Sequence, residues 1–163
     1  MSYRLFLKWA SLLTTLFVLT NGLCPAGLPD PGTSLVTVVH KSNLVASLSA
    51  NQLRALYLGE TTQWSDHKRV ILVRREPSSA AFGAVLLKVL KMSAAEYRRF
   101  IISLEFRGDE PLSLKTLNSN EAACNFVFNV PSAVAVLDQS ALSDPGCSRV
   151  KTLPVLGLGG SVR

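Results

Sequence analysis

Arg74, Arg75, Glu76, Pro77, Ser78, Ser79 and Ala80 are the stretch of this chain best suited to chemistry. They leave an apolar run at 70–73 and enter a segment where Phe82, Val85, Leu86, Val89 and Leu90 recur at helical spacing. The first N–H groups of a helix have no intrahelical partner, and the helix dipole places partial positive charge there. A strand–turn–helix junction is therefore a natural anion site. Two hydroxyls and one or two guanidiniums suit a tetrahedral oxyanion. The residues also fit a plainer account, in which Ser78 or Ser79 caps the helix and the arginines are solvated.

Other chemistry finds little support. His40 and His67 are the only histidines, neither in a nucleophile motif, and there is no G-x-S-x-G. The carboxylates are scattered and form no defensible catalytic pair, so no enzyme is expected. Neither C-x-x-C nor H-x-x-x-H occurs, which excludes a zinc site of ordinary spacing, and no metal or cofactor is expected. Gly157-Leu158-Gly159-Gly160 lacks the helix and lysine of a phosphate loop and reads as a loose end. Trp64 is expected to pin its loop to the core, and Gly59 to end a helix in the left-handed region.

The chain has 163 residues, 48% apolar and 17% charged, enough for one domain with a sizeable core. Arg4 and Lys8 precede an apolar run of 11 residues, 9–19, too short to span a bilayer. Residues 1–26 thus read as a secretory signal peptide, cleaved after Ala26 or after Gly22. The formal charge of +6 is partly that signal: without it, 15 basic residues face 11 acidic ones. No basic stripe with interleaved aromatics is present, so no nucleic-acid partner is expected. Cleavage after Ala26 would leave Cys124 and Cys147, which an oxidising compartment is expected to pair.

These residues need elements to position them. Residues 27–34 read as an irregular lead-in and 35–156 as one domain, with a tail at 157–163. Strands are predicted at 35–40, 70–73, 133–137 and 150–155. Residues 74–77 read as a turn. Ser49 caps one helix, Ser78 or Ser79 the next, and Ser93 with Glu96 forms a capping box for a third. Asn118 with Glu121 is read as the start of a fourth, through about Phe128. Strands alternating with helices argue for a three-layer αβα sandwich of the α/β class.

At this point the sequence resembles the phosphate-binding proteins of bacterial ABC transporters, and in particular short, single-lobe members of the periplasmic-binding-protein superfamily. The resemblance rests on four blocks over roughly 35–155. They are Val38-Val39-His40-Lys41-Ser42-Asn43 with Leu48-Ser49; the run Gln52 to Asp66; the Arg-turn-Ser segment with Phe82; and Val130 to Val136. The second block is the most specific, matching "L-x-x-I-[FY]-L-G-x-x-x-x-W-x-D" from Leu53 through Gly59 and Trp64 to Asp66.

The resemblance implies one lobe of a type II periplasmic binding protein. In two-lobed relatives the second lobe brings an Arg at a strand end and, four residues on, Ser-Gly-Thr at a helix start. Arg74 and Ser78 fall on the Arg and Ser, and Ser79 and Ala80 on the Gly and Thr; Arg75 is a substitute for Arg74 if the turn so directs it. Ala80 cannot supply the hydroxyl of Thr. The implied partners are phosphate or a similar small anion, a membrane transporter or receptor, and a second lobe or copy that closes the cleft. The other expectation is a ligand-free accessory module of the envelope.

Overall fold

The computed structural model describes residues 33–107 and 112–157. The predicted signal peptide, most of the lead-in and the tail beyond Gly157 lie outside the described residues. The strands are β1 (Leu35–Val39), β2 (Leu48–Ser49), β3 (Ile71–Arg75), β4 (Leu114–Leu117), β5 (Ala133–Asp138), β6 (Lys151–Leu153) and β7 (Val155–Leu156). The helices are α1 (Ala50–Tyr57), α2 (Ala80–Val85), α3 (Ala94–Arg107) and α4 (Asn120–Asn129). A π-helical turn, Leu86–Leu90, continues α2, and two 3-10 turns, Gln139–Ser143 and Pro145–Arg149, follow β5.

A five-stranded mixed sheet runs in the order β4-β3-β5-β1-β6. β3 is parallel to β4 and β5, whereas β1 is antiparallel to β5 and β6. The small β2–β7 pair is parallel and separate. β5 is the centre of the molecule, with Ala133 through Leu137 all buried. Strand alternation divides its side chains. Val134 and Val136 join Leu53, Tyr57, Leu72, Phe82, Val85, Leu90 and Tyr97 on one face. Ala133, Ala135 and Leu137 meet Ala123, Cys124, Val127 and Cys147 on the other. The sheet is thus covered on both faces, by α1, α2 and α3 on one side and by α4 with the 3-10 turns on the other. The architecture is a three-layer α/β sandwich.

Local signals hold where side chains cap helices. Ser49 and Gln52 form a capping box, with Ser49 Oγ accepting from Gln52 N–H at 3.1 Å. Ser93 and Glu96 do the same at the start of α3. Gly59 has φ of +70°, as a left-handed helix end requires. Among the described residues, a Cβ there would meet Leu104 Cδ1 at 3.8 Å and Leu112 Cβ at 3.9 Å, both ordinary contacts. Space is therefore available, and the cost of Gly59→Ala is conformational. The variant should lose roughly 1 kcal/mol, read as a shift in the urea midpoint at unchanged slope.

Three local readings need correction, and one strand went unread. β3 extends through Arg75, because residues 72–75 pair with β4; the predicted turn at 74–77 begins two residues later. β4 itself, partly exposed with Lys115 and Thr116 outward, has no buried run to betray it and exists through that pairing. The cap of α4 is Ser119, whose side chain accepts from Ala122 N–H, while the Asn118 carbonyl is taken by Arg75. The strand at 150–155 is broken at Pro154, so that β6 pairs with β1 and β7 with β2. Cys124 and Cys147 form a disulfide that ties α4 to the second 3-10 turn. Trp64, 9% exposed, packs in the core and donates Nε1–H to the Ser132 carbonyl at 2.9 Å.

Candidate functional site

β3 and β4 are parallel and end at the same edge of the sheet, where Arg75 lies beside Leu117. From that edge the chain enters α2 on one face and α4 on the other. Ligands of open α/β sheets collect outside the carboxyl ends of strands, and this is where the Arg-turn-Ser segment sits. The hollow lined by Ser42, Asn43, Leu44, Trp64, Asp66, Lys68 and Pro131 lies at the other end of β3 and β5, near their first residues.

Arg74 and Arg75 are adjacent in an extended strand and so point to opposite faces. Arg74 shares the α2 face with Leu72. Its Nε–H donates to Thr116 Oγ1 at 3.0 Å. Its Cζ stands 5.2 Å from the Phe82 ring centroid and 5.6 Å from that of Tyr97. Arg75 is on the α4 face. It donates to the Asn118 carbonyl at 2.8 Å and to Asn120 Oδ1. Asn120 Nδ2 in turn donates to both carboxylate oxygens of Asp138, at 3.3 and 3.2 Å, and Ser140 Oγ donates to one of them. The guanidinium of Arg75 is therefore engaged in clamping the start of α4 to the end of the sheet. The strand register thus sets the two guanidiniums on opposite faces of the sheet, Arg74 toward α2 and Arg75 toward α4.

Ser79 is the N-cap of α2. Its Oγ accepts from Phe82 N–H at 3.2 Å and donates to the Glu76 carbonyl at 2.8 Å. That settles which serine starts the helix and commits the Ser79 hydroxyl to it. Ser78 is exposed, one residue before the cap, and Ala80 is the first helical residue, also exposed. Of the first N–H groups of α2, that of Phe82 is taken by Ser79 Oγ and that of Gly83 by the Ser79 carbonyl. Those of Ala80 and Ala81 are the ones a helix start leaves for an outside acceptor. The segment thus offers one guanidinium, one free hydroxyl and helix-terminal N–H groups, all donors.

Asp138 is the one acid whose carboxyl is shifted by this network. Partial burial pushes its pKa up, but hydrogen bonds from Ser140 and Asn120 and the Arg75 charge outweigh that and hold it below the usual carboxylate value. A lowered folded-state pKa gives stability that is complete above the unfolded value of about 3.9 and is lost as pH falls through the folded value. Asp138→Asn should therefore flatten the acid limb of a stability-against-pH curve below about pH 4 and leave the neutral region unchanged in slope.

Sequence reasoning missed Thr116, Tyr57 and Tyr97 around Arg74, and Asn120 and Asp138 around Arg75. Thr116 could not be placed without β4. The tyrosines sit on apolar helix faces and read as core. Among the described residues no three His, Cys, Asp or Glu side chains gather as metal ligands, and no helix is long and apolar enough to cross a membrane.

Comparison with known proteins places the fold alone. No protein-family model and no curated protein matches the chain. Solved structures do. A phosphate transport receptor of ABC type from Vibrio cholerae matches with a TM-score of 0.54 at 22% identity, over 74% of this chain and 45% of its own. PstS from Borrelia burgdorferi matches at 0.58 and 12%, over 79% of this chain and 49% of its own. A phosphate-binding protein from Stenotrophomonas maltophilia matches at 0.51 and 18%, over 77% and 39%. The chain spans less than half the length of these structures.

Proposed function

We propose that this chain is a phosphate-type oxyanion-binding lobe, exported to the bacterial periplasm by its predicted signal peptide, and that it binds without catalysis. The observation that carries the reading is the placement of Arg74. It stands at the carboxyl end of β3 on the same face as α2, whose start brings Ser78 and the N–H groups of Ala80 and Ala81. The structural neighbours support the choice of anion, since those of similar fold are phosphate receptors and phosphate-binding proteins. A membrane transporter of the ABC type is the implied partner. Half a cleft leaves the anion in contact with water, where each charge contact contributes little. Binding by the lone lobe is thus weak, and a second lobe or copy completes it.

A second reading has its own observation. Ser79 Oγ is used up within the helix cap, and Ala80 has no hydroxyl. Loss of ligands is what a lobe turned accessory or protein-interaction module of the envelope would show.

Thermal melts of the purified chain separate the two. Millimolar phosphate is compared with sulfate at matched ionic strength. At 100 times its dissociation constant a ligand stabilises the fold by ~2.7 kcal/mol, a rise of roughly 5 °C or more for a domain of this size. A phosphate-specific rise is the expected result. Equal shifts with both anions, or none, would sink phosphate recognition and favour the interaction module.

A further inference from the structure

The Arg74 guanidinium sits in a socket built by elements other than its own strand. Thr116 of β4 accepts its Nε–H at 3.0 Å. Phe82 of α2 and Tyr97 of α3 face its Cζ at 5.2 and 5.6 Å, within cation–π range. Those two rings meet edge to face at 5.5 Å, so each wall braces the other. Tyr57, the last residue of α1, is fully buried, and Tyr97 is 2% exposed. Among the described residues neither hydroxyl has a partner of good hydrogen-bond geometry, although buried Tyr hydroxyls ordinarily find one, and the Arg74 guanidinium is the polar group nearest in effect to that of Tyr97. Burial pushes both phenols above their ordinary pKa, and the Arg74 charge draws each part of the way back. The guanidinium therefore faces neutral rings and neutral hydroxyls.

We propose that Tyr97 is a positioning residue for Arg74, fixing the guanidinium at the carboxyl end of β3 before any anion arrives. The inference rests on the oxyanion reading above for its consequence. A free arginine loses much rotamer freedom when it grips a ligand, and holding it in place beforehand removes that cost. The effect matters most in a half-cleft, where no opposing lobe orders the side chain. The π face of Tyr97 supplies the hold, and the hydroxyl is secondary.

The test uses the whole chain as wild type, Tyr97→Leu, Tyr97→Phe and Thr116→Val, with inorganic phosphate as the probe. Two readouts are taken: the phosphate dissociation constant by calorimetry, and the exchange of the Arg74 Nε–H proton by NMR without phosphate. Tyr97→Leu should weaken phosphate binding roughly three- to tenfold and speed Nε–H exchange. Tyr97→Phe, which keeps the ring, should restore both to within about twofold of wild type. Thr116 is exposed, so Thr116→Val should fold normally and repeat the Tyr97→Leu effects. The proposal is overturned if Tyr97→Leu and Thr116→Val leave affinity and exchange unchanged. If wild type binds no phosphate, the oxyanion reading fails, and the proton-exchange arm decides the socket alone. Faster exchange in Tyr97→Leu upholds it, and unchanged exchange overturns it.

Discussion

Arg74→Ala is expected to abolish the phosphate-specific rise in melting temperature, whereas Arg75→Ala should keep that rise and lower the melting temperature of the protein itself. The contrast follows from strand alternation. Arg74 stands on the face where α2 begins, beside Ser78 and the helix-terminal N–H groups. Its Nε–H is held by Thr116, and on the proposed reading its terminal N–H groups meet the anion. Arg75 stands on the opposite face and holds the Asn118 carbonyl and Asn120. Truncating Arg75 frees the start of α4 and removes the positive partner of the Asp138 network. Hydrogen bonds from a charged donor, partly exposed, set the loss at about 1–2 kcal/mol. Circular-dichroism melts of both variants, with and without phosphate, check the pair. A phosphate response that survives Arg74→Ala would remove Arg74 from the site. A response lost in Arg75→Ala alone would reverse the assignment of the two arginines.

Replacing both cysteines by alanine should cost ~3 kcal/mol by the chain-entropy estimate, for a loop of sequence separation 23. For a domain of this size that is a fall in melting temperature of about 10 °C. The bond joins α4, whose Ala123, Cys124 and Val127 lie on the sheet, to the turn carrying Cys147. Both half-cystines are buried, at 0% and 3% exposed. Reducing agent should reproduce the loss once the chain is warmed enough to open, and should do nothing to the Cys124→Ala/Cys147→Ala protein. A double variant that melts within about 2 °C of wild type, a loss under about 1 kcal/mol, would show that packing alone holds this layer.

The two arginines also show where a sequence stops being sufficient. Their opposite placement is implied by the period of a strand, but only if the strand includes them. The apolar run at 70–73 ends before Arg74, and Pro77 suggests a turn. What carries β3 through Arg75 is β4, a half-exposed strand with no pattern of its own. The serine question is of the same kind. Ser78 and Ser79 are equal as caps in sequence, and the bond from Phe82 N–H decides for Ser79. Tyr57 and Tyr97, on α1 and α3, could not be seen as neighbours of Arg74, because they lie 17 and 23 positions away along the chain and nothing local records the meeting.

The sequence by itself determined whatever short-range physics controls. Branched apolar runs placed β1, β5 and most of β3. Serine caps with their glutamine or glutamate partners started α1 and α3, and Gly59 ended α1. Trp64 was legible as a loop anchor, and the two cysteines beyond the predicted signal peptide were legible as a pair. Tertiary structure alone decided the strand order β4-β3-β5-β1-β6 and the antiparallel placing of β1. It also decided the existence of β4 and which face each arginine serves. Caps and turns are settled within a few residues, by hydrogen bonds that the local chain can make alone. An edge strand with polar side chains gains its hydrogen bonds only from a neighbour brought by the rest of the fold, so its presence, and the direction of Arg74, are properties of the assembled sheet.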